Sequence, residues 1–186
     1  MSRTMTKSTL LATMVLGRKA WQELLNQIDE AAMLEPGVEG VWSVKEIVAH
    51  IAGYEQYFSA YIIDVQQDPL KNEPSMTATL DSYYQQHLDS YCQVHPNFPE
   101  RLDDLDEDQV NALFAAACQD QSVQEVLLRE RQAYQRLLTE VQAVSEAKLT
   151  EQHRDGSLIE RIPNQCYAHY EMHMPAIERW WAQRNR

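Results

Sequence analysis

Ser43-Val44-Lys45-Glu46-Ile47-Val48-Ala49-His50-Ile51-Ala52-Gly53-Tyr54 is the stretch that decides the fold. Its first four residues form a capping box: the serine side chain accepts from a first-turn N–H, and the glutamate reaches back to the cap. Beyond the cap, Ile47, Ile51, Tyr54, Phe58, Tyr61, Ile62 and Val65 recur at helical spacing and make one apolar stripe. The segment predicts a long amphipathic helix that ends before Asp68-Pro69.

The same period extends in both directions. Leu10, Met14, Trp21, Leu24 and Ile28 predict a first helix from Lys7 to Met33, stopped by the Pro36-Gly37 breaker pair. A second capping box, Ser122-Val123-Gln124-Glu125, opens a third long helix running to Ser145, with Val123, Leu127, Tyr134, Leu137, Leu138 and Val141 inward. After a polar loop with an Asp155-Gly156 turn, a last helix runs from Pro163 to Arg184. Pro175 should kink or interrupt it just after His173. Residues 67–121 form a long crossover punctuated by four prolines, with two shorter helices near 77–92 and 106–118. No period-2 strand is evident. The expectation is an all-α protein: one domain over residues 1–186, a four-helix bundle with a long crossover between helices two and three. Helices one and two, and helices three and four, are expected as antiparallel neighbours.

Composition narrows the function. Lys plus Arg is 16 and Asp plus Glu is 28, so the formal net charge is −12. This surplus argues against nucleic acid, whose affinity comes largely from neutralising phosphates, and against anionic membrane surfaces. No apolar run is long enough to span a membrane. Leu10-Leu11-Ala12-Thr13-Met14-Val15-Leu16 lacks a following small-residue cleavage site and reads as a buried helix face, which places the chain in the cytoplasm. Cys92, Cys118 and Cys166 show no CxxC pattern, so neither a disulfide framework nor a thiolate zinc site is expected. A homodimer is the expected assembly, since two-fold dimers are the commonest soluble oligomers.

The histidines separate by position. With Ile162 as zero on a wheel of about 100° per residue, His169 and His173 fall within about 20° of the inward direction. They are i and i+4, so their rings lie one above the other and can share one metal ion. With Ile47 as zero, His50 falls on the flank of the second helix's stripe, about 60° away. Three inward histidines on two helices suggest a site that leaves one coordination position open, the catalytic arrangement. His87, His95 and His153 fall in the crossover and a loop, where solvated roles are expected.

Glu130 lies mid-stripe on the third helix, between Leu127 and Tyr134, and a buried carboxylate needs a partner. Two readings stand. It orients a ligand imidazole, acts as a fourth ligand or serves as a base; or it pairs with a basic side chain at the bundle end. Tyr54 and Tyr170 lie within about a turn of His50 and His169 and are the best pocket-lining tyrosines. Cys166, one turn before His169, reads as a small buried residue, with a thiolate ligand as the alternative.

At these residues the chain resembles the DinB/YfiT-like family. Gly40-Val41-Trp42-Ser43-Val44-Lys45-Glu46-Ile47-Val48-Ala49-His50 is similar to the family's entry to the second helix, a tryptophan and a capped helix leading to a ligand histidine. Tyr167-Ala168-His169-Tyr170-Glu171-Met172-His173 resembles its last-helix motif. Val110-Asn111-Ala112-Leu113 and Arg131-Gln132-Ala133-Tyr134 are similar to segments between them, and the flavour is that of the ClbS/DfsB-type bundles. The resemblance implies a divalent metal (zinc, nickel or manganese) on His50, His169 and His173. It also implies thiol-dependent transferases, isomerases and self-resistance proteins as relatives. Trp42 and Asn111 become pocket candidates beside Tyr54 and Tyr170. Ile162-Pro163-Asn164-Gln165 departs from the Gly/Asn-rich entry of relatives and alters the pocket floor.

Two functions follow as expectations. The first is a metal-dependent enzyme that activates a low-molecular-weight thiol or water against a small electrophile. The second is a non-catalytic protein of stress response or self-resistance that binds a small molecule or metal. A purely structural bundle with solvated histidines is the third possibility, and widely separated rings would favour it.

Overall fold

The computed structural model describes residues 5–67, 82–152 and 156–185. Its bundle helices are α1 (Lys7–Leu25), α3 (Val44–Gln67), α6 (Val123–Ala143) and α9 (Tyr167–Arg184). Between α1 and α3 lies the short α2 (Glu30–Met33). The crossover carries α4 (Ser82–Val94), a 3-10 turn at Leu102–Asp104 and α5 (Glu107–Ala116). Two short helices, α7 (Glu146–Thr150) and α8 (Leu158–Arg161), and a 3-10 turn at Ile162–Gln165 precede α9. Among the described residues the protein is helical, with only one isolated bridge, between Glu39 and Trp42. The first of the expected crossover helices begins, at 77–81, outside the described residues.

The helix starts follow their caps. Ser122 accepts from the Glu125 amide while the Glu125 side chain takes the Ser122 amide, and Asp106 and Gln109 do the same for α5. Ser43 and Glu46 repeat the exchange at α3, with Glu46 Oε2 2.7 Å from the Ser43 amide.

Three expectations about the helices change. The first helix stops at Leu25 rather than Met33, because Asp29 caps α2 as a separate turn. The last helix is broken at Cys166, whose φ of −144° and ψ of −104° separate the 3-10 turn from α9. Pro175, in contrast, does not interrupt α9. It lies on the exposed side, where water can take the Glu171 carbonyl that loses its helical donor.

The pairing of helices also differs. The extensive contacts are α3 with α6 and α1 with α9, with smaller ones between α1 and α6 and between α3 and α9. The links at 26–43 and 144–166 contain their own turns and helices, so they cross the bundle instead of joining neighbours.

The inward stripes meet in one core. Leu10, Met14, Trp21, Ile47, Ile51, Phe58, Ile62, Leu137, Val141 and Ile177 are fully buried. A second, smaller cluster joins Tyr84, Leu88, Leu102, Leu113 and Phe114 and packs on Tyr54 and Tyr57 of α3. The crossover is thus a roof held on one bundle helix. Gly53 makes the close approach possible, since a Cβ there would lie 2.5 Å from the Phe114 ring.

A polar knot sits inside this core. Arg18 of α1 makes a bidentate ion pair with Glu130 of α6, the Trp21 indole donates to Glu130 Oε1 at 2.9 Å, and the Arg18 guanidinium lies 4.7 Å from the Tyr134 ring centroid. The Tyr170 hydroxyl donates to Glu55, and the Tyr170 ring stacks on Trp21 at 5.4 Å. Burial, then the charge of Glu130, pushes the Glu55 carboxyl well above the usual carboxylate range. Such a shift favours the neutral form of Glu55 beside the Arg18–Glu130 pair.

Candidate metal centre

His50 comes from the second turn of α3, and His169 and His173 from consecutive turns of α9. Each ring is buried, at 4, 7 and 8% exposure. The ring centroids are 4.8 Å apart for His50 and His169, 5.2 Å for His50 and His173, and 5.0 Å for His169 and His173. One nitrogen from each falls within a common span of 4.8 Å. That clustering excludes the solvated, separated histidines of a purely structural bundle.

Two of the rings face each other edge to edge, with His50 Nε2 2.9 Å from His169 Nε2. Tetrahedral zinc with Zn–N bonds near 2.1 Å would hold its nitrogens ~3.4 Å apart, so a small outward shift would admit an ion. Three ring nitrogens, His50 Nδ1, His169 Nδ1 and His173 Nε2, are buried with no hydrogen-bond partner among the described residues. Burial, then the neighbouring histidines, lowers His50 to about 2 and His169 to about 4, so both rings are neutral and keep a lone pair. Neutral imidazole is the form that binds divalent ions.

Glu39 is the residue that the sequence did not disclose. Its Oε2 is 2.8 Å from His173 Nδ1. It lies in a tight turn with Gly40 at φ 60°, closed by the Trp42 amide donating to the Glu39 carbonyl at 2.9 Å. This turn serves the site twice, because Trp42 packs against His50 with ring centroids 5.2 Å apart. Helical periodicity says nothing about such a loop; the only available signal was a carboxylate beside glycines and next to the Trp42 motif.

Above the rings opens a cleft of about 560 Å³. Trp42, Tyr54 and Asn111 line it, together with Glu39, Glu107, Asn164, Gln165 and Met172. Tyr54 donates to Asn111 Oδ1 at 2.8 Å and meets His50 edge-on at 5.0 Å. Burial, then Glu107, pushes the Tyr54 hydroxyl up to about 12, so it remains a donor near pH 7. Asn164 and Gln165 come from the Ile162–Gln165 turn.

Two of the proposed site residues lie elsewhere. Tyr170 is fully buried against Trp21 and bonded to Glu55, because it points a helix face away from His169. Glu130 is bound by Arg18 and Trp21 and touches none of the histidines. Its role as ligand, orienting group or base is therefore withdrawn, and the ion-pair reading holds, although in the bundle interior rather than at its end. Cys166 is buried with its Sγ 3.2 Å from the Ile162 carbonyl; burial raises its thiol, which opposes a thiolate ligand. All three cysteines are free. His95 is exposed, His87 is half-buried, and His153 lies outside the described residues.

The fold and site together define a crossover-bearing four-helix bundle with a buried three-histidine cluster. The chain belongs to the DinB superfamily, whose family model matches residues 13–174. No curated protein matches it. It is similar in structure to DfsB, described as a sibling lethal factor precursor, with TM-score 0.72, 15% identity and 99% of each chain covered. It is also similar to the colibactin self-resistance protein ClbS in complex with double-stranded DNA, with TM-score 0.70, 13% identity and 96% of each chain covered. An uncharacterised protein from Escherichia coli UTI89 follows at TM-score 0.69 and 13% identity, covering 99% of this chain and 97% of that one.

The ClbS complex overturns the exclusion of nucleic acid drawn from the net charge. A protein of this fold holds a DNA duplex. Net charge sums the whole surface, whereas phosphate contact depends on the local arrangement of basic groups. No helix among the described residues is long and apolar enough to cross a bilayer.

Proposed function

We propose that this chain is a divalent-metal-dependent enzyme that carries out thiol transfer or hydrolysis on a small electrophilic molecule. His50, His169 and His173 would hold the ion, with zinc, nickel and manganese as candidates. The supporting observation is the convergence of three buried imidazoles, at centroid separations of 4.8–5.2 Å, on the floor of an open cleft. When bound, such an ion supplies Lewis acidity and lowers the pKa of a thiol or water in the position that the three histidines leave free. The chain's own residues do the rest. Glu39 accepts the proton of His173 Nδ1 and so leaves Nε2 as the donor atom. Trp42 and Tyr54 shield the rings from water and offer flat faces to an apolar substrate. Free cysteines fit work in the reducing cytoplasm.

The test is elemental analysis of protein made with zinc, nickel and manganese available, followed by a panel of thiols and model electrophiles. One ion per chain, and thiol- or water-dependent product that disappears in His173→Ala, is expected. Protein without stoichiometric metal overturns the reading.

A second reading has one specific support, the self-resistance role named for ClbS. In it the cleft sequesters a reactive small molecule without turnover, and duplex DNA joins the ligands to be tested. Tight binding of an electrophile without its consumption, or retention of a duplex in a gel-shift assay, would favour it.

A further inference from the structure

We infer that the cleft above the three histidines selects neutral or cationic ligands with an apolar body and turns away those that carry a carboxylate or phosphate. The inference rests on the proposed function only in taking this cleft as the seat of the reacting molecules.

Charge is the first argument. The cleft is lined by two carboxylates, Glu39 and Glu107, and by no lysine or arginine among the described residues. The rest of its floor is formed by the three buried histidines. Glu39 places one oxygen 2.8 Å from His173 Nδ1. Glu107 is exposed at the first turn of α5, at the edge of the cleft. An anionic group entering here meets two acidic side chains and no lysine or arginine among the described residues, and the partly desolvated cleft weakens screening.

Hydrogen bonding points the same way. Gln165 keeps a buried side-chain oxygen without a donor among the described residues. The one hydroxyl at the cleft wall, that of Tyr54, already donates to Asn111. That Gln165 oxygen is an acceptor which a ligand's N–H or O–H can satisfy. The apolar part comes from Trp42, from the ring of Tyr54, and from Met172, which is 70% exposed at the cleft. A flat or aliphatic body bearing an amine, amide or hydroxyl satisfies all of these surfaces.

Three probes of one shape separate the charge states: benzylamine, benzyl alcohol and phenylacetate. The full chain is treated with EDTA, and binding is followed by the NMR shifts of the Trp42 indole and the His169 ring at pH 7. Benzylamine and benzyl alcohol should bind in the cleft, and phenylacetate at least about fivefold more weakly than either. Glu107→Gln should weaken benzylamine about threefold and leave benzyl alcohol unchanged, since only the ionic attraction is removed. Phenylacetate binding as tightly as benzyl alcohol overturns the inference, and so does failure of all three probes to move Trp42. Cobalt uptake by the same preparation is measured separately. Charge selection without cobalt uptake keeps this inference and removes the metal reading; cobalt uptake with phenylacetate preferred does the reverse.

Discussion

Glu39 Oε2 and His173 Nδ1 lie 2.8 Å apart although 134 residues separate them in the chain. The carboxylate holds the ring through Nδ1 and leaves Nε2 buried without a hydrogen-bond partner among the described residues. Removing such a support usually weakens metal affinity about 10–100-fold. Glu39→Ala should therefore lose zinc affinity by that factor in competition with a chromophoric chelator, at unchanged thermal stability. Glu39→Gln, which can still accept from Nδ1 but carries no charge, should fall between. Equal affinity in all three proteins would reduce Glu39 to a packing residue.

The bond from Arg18 to Glu130 predicts an effect on stability alone. Both side chains are almost fully buried, at 5 and 1% exposure. Truncating one partner strands the other charge, at a cost of about 3–5 kcal/mol, while replacing both with apolar groups is often neutral or better. Glu130→Leu should thus unfold at much lower denaturant, and Arg18→Met combined with Glu130→Leu should recover most of the loss. Metal stoichiometry should be unchanged in the double variant. Loss of the metal together with recovered stability would return Glu130 to the site.

How much of this was legible follows from what periodicity can encode. His169 and His173 are i and i+4 on one uninterrupted helix, so their common direction was readable from spacing. His50 was readable because Ser43 fixes the start of α3 and Ile47 fixes its phase. Glu130 was flagged by its mid-stripe position, but its partner was missed; Arg18, four residues after Met14 and three before Trp21, lies on the α1 stripe by the same rule. Glu55 of α3, four residues after Ile51, lies on the buried stripe of its helix likewise. The Glu39 turn and the Asn164–Gln165 edge of the cleft have no period to read. Helix adjacency failed for another reason: the connecting segments contain turns of their own, and their reach across the bundle is not a property of any one helix. Net charge does not decide nucleic-acid contact, because it averages over a surface on which contacts are local.

The buried histidines predict acid sensitivity. Burial and mutual repulsion lower His50 to about 2 and His169 to about 4, against 6.5 for an ordinary histidine. Above pH 6.5 both are neutral in folded and unfolded chains, and their contribution is complete. As pH falls below 6.5 the unfolded chain takes up protons that the folded protein refuses, so stability declines. The decline is at most about 1.4 kcal/mol per pH unit for each histidine and continues toward pH 4. Urea denaturation of EDTA-treated protein between pH 7.5 and 4.5 measures it. His50→Gln should flatten the slope by about one histidine's share. A slope identical to that of the unaltered chain would show that His50 is not held neutral by its surroundings.

Gly53 links the packing of the crossover to the cleft. A Cβ added there would lie 2.5–2.7 Å from three ring carbons of Phe114, which is fully buried between α5 and α3. Alanine gains about 1 kcal/mol in helix propensity over glycine, but overpacking of this kind costs about 1–3 kcal/mol, so the balance should be a net loss. The displaced element also matters for function, because α5 carries Asn111 as well as Phe114. If the ring retreats, Asn111 draws away from Tyr54 and the wall of the cleft opens. Gly53→Ala should therefore lower stability and weaken benzyl alcohol binding, whereas Asn111→Ala should affect binding and leave the core intact. Zinc affinity should be nearly unchanged in both, since His50, His169 and His173 stand on α3 and α9 rather than on the roof. A Gly53→Ala protein with full stability and normal binding would show that the crossover is not seated on α3 through this contact.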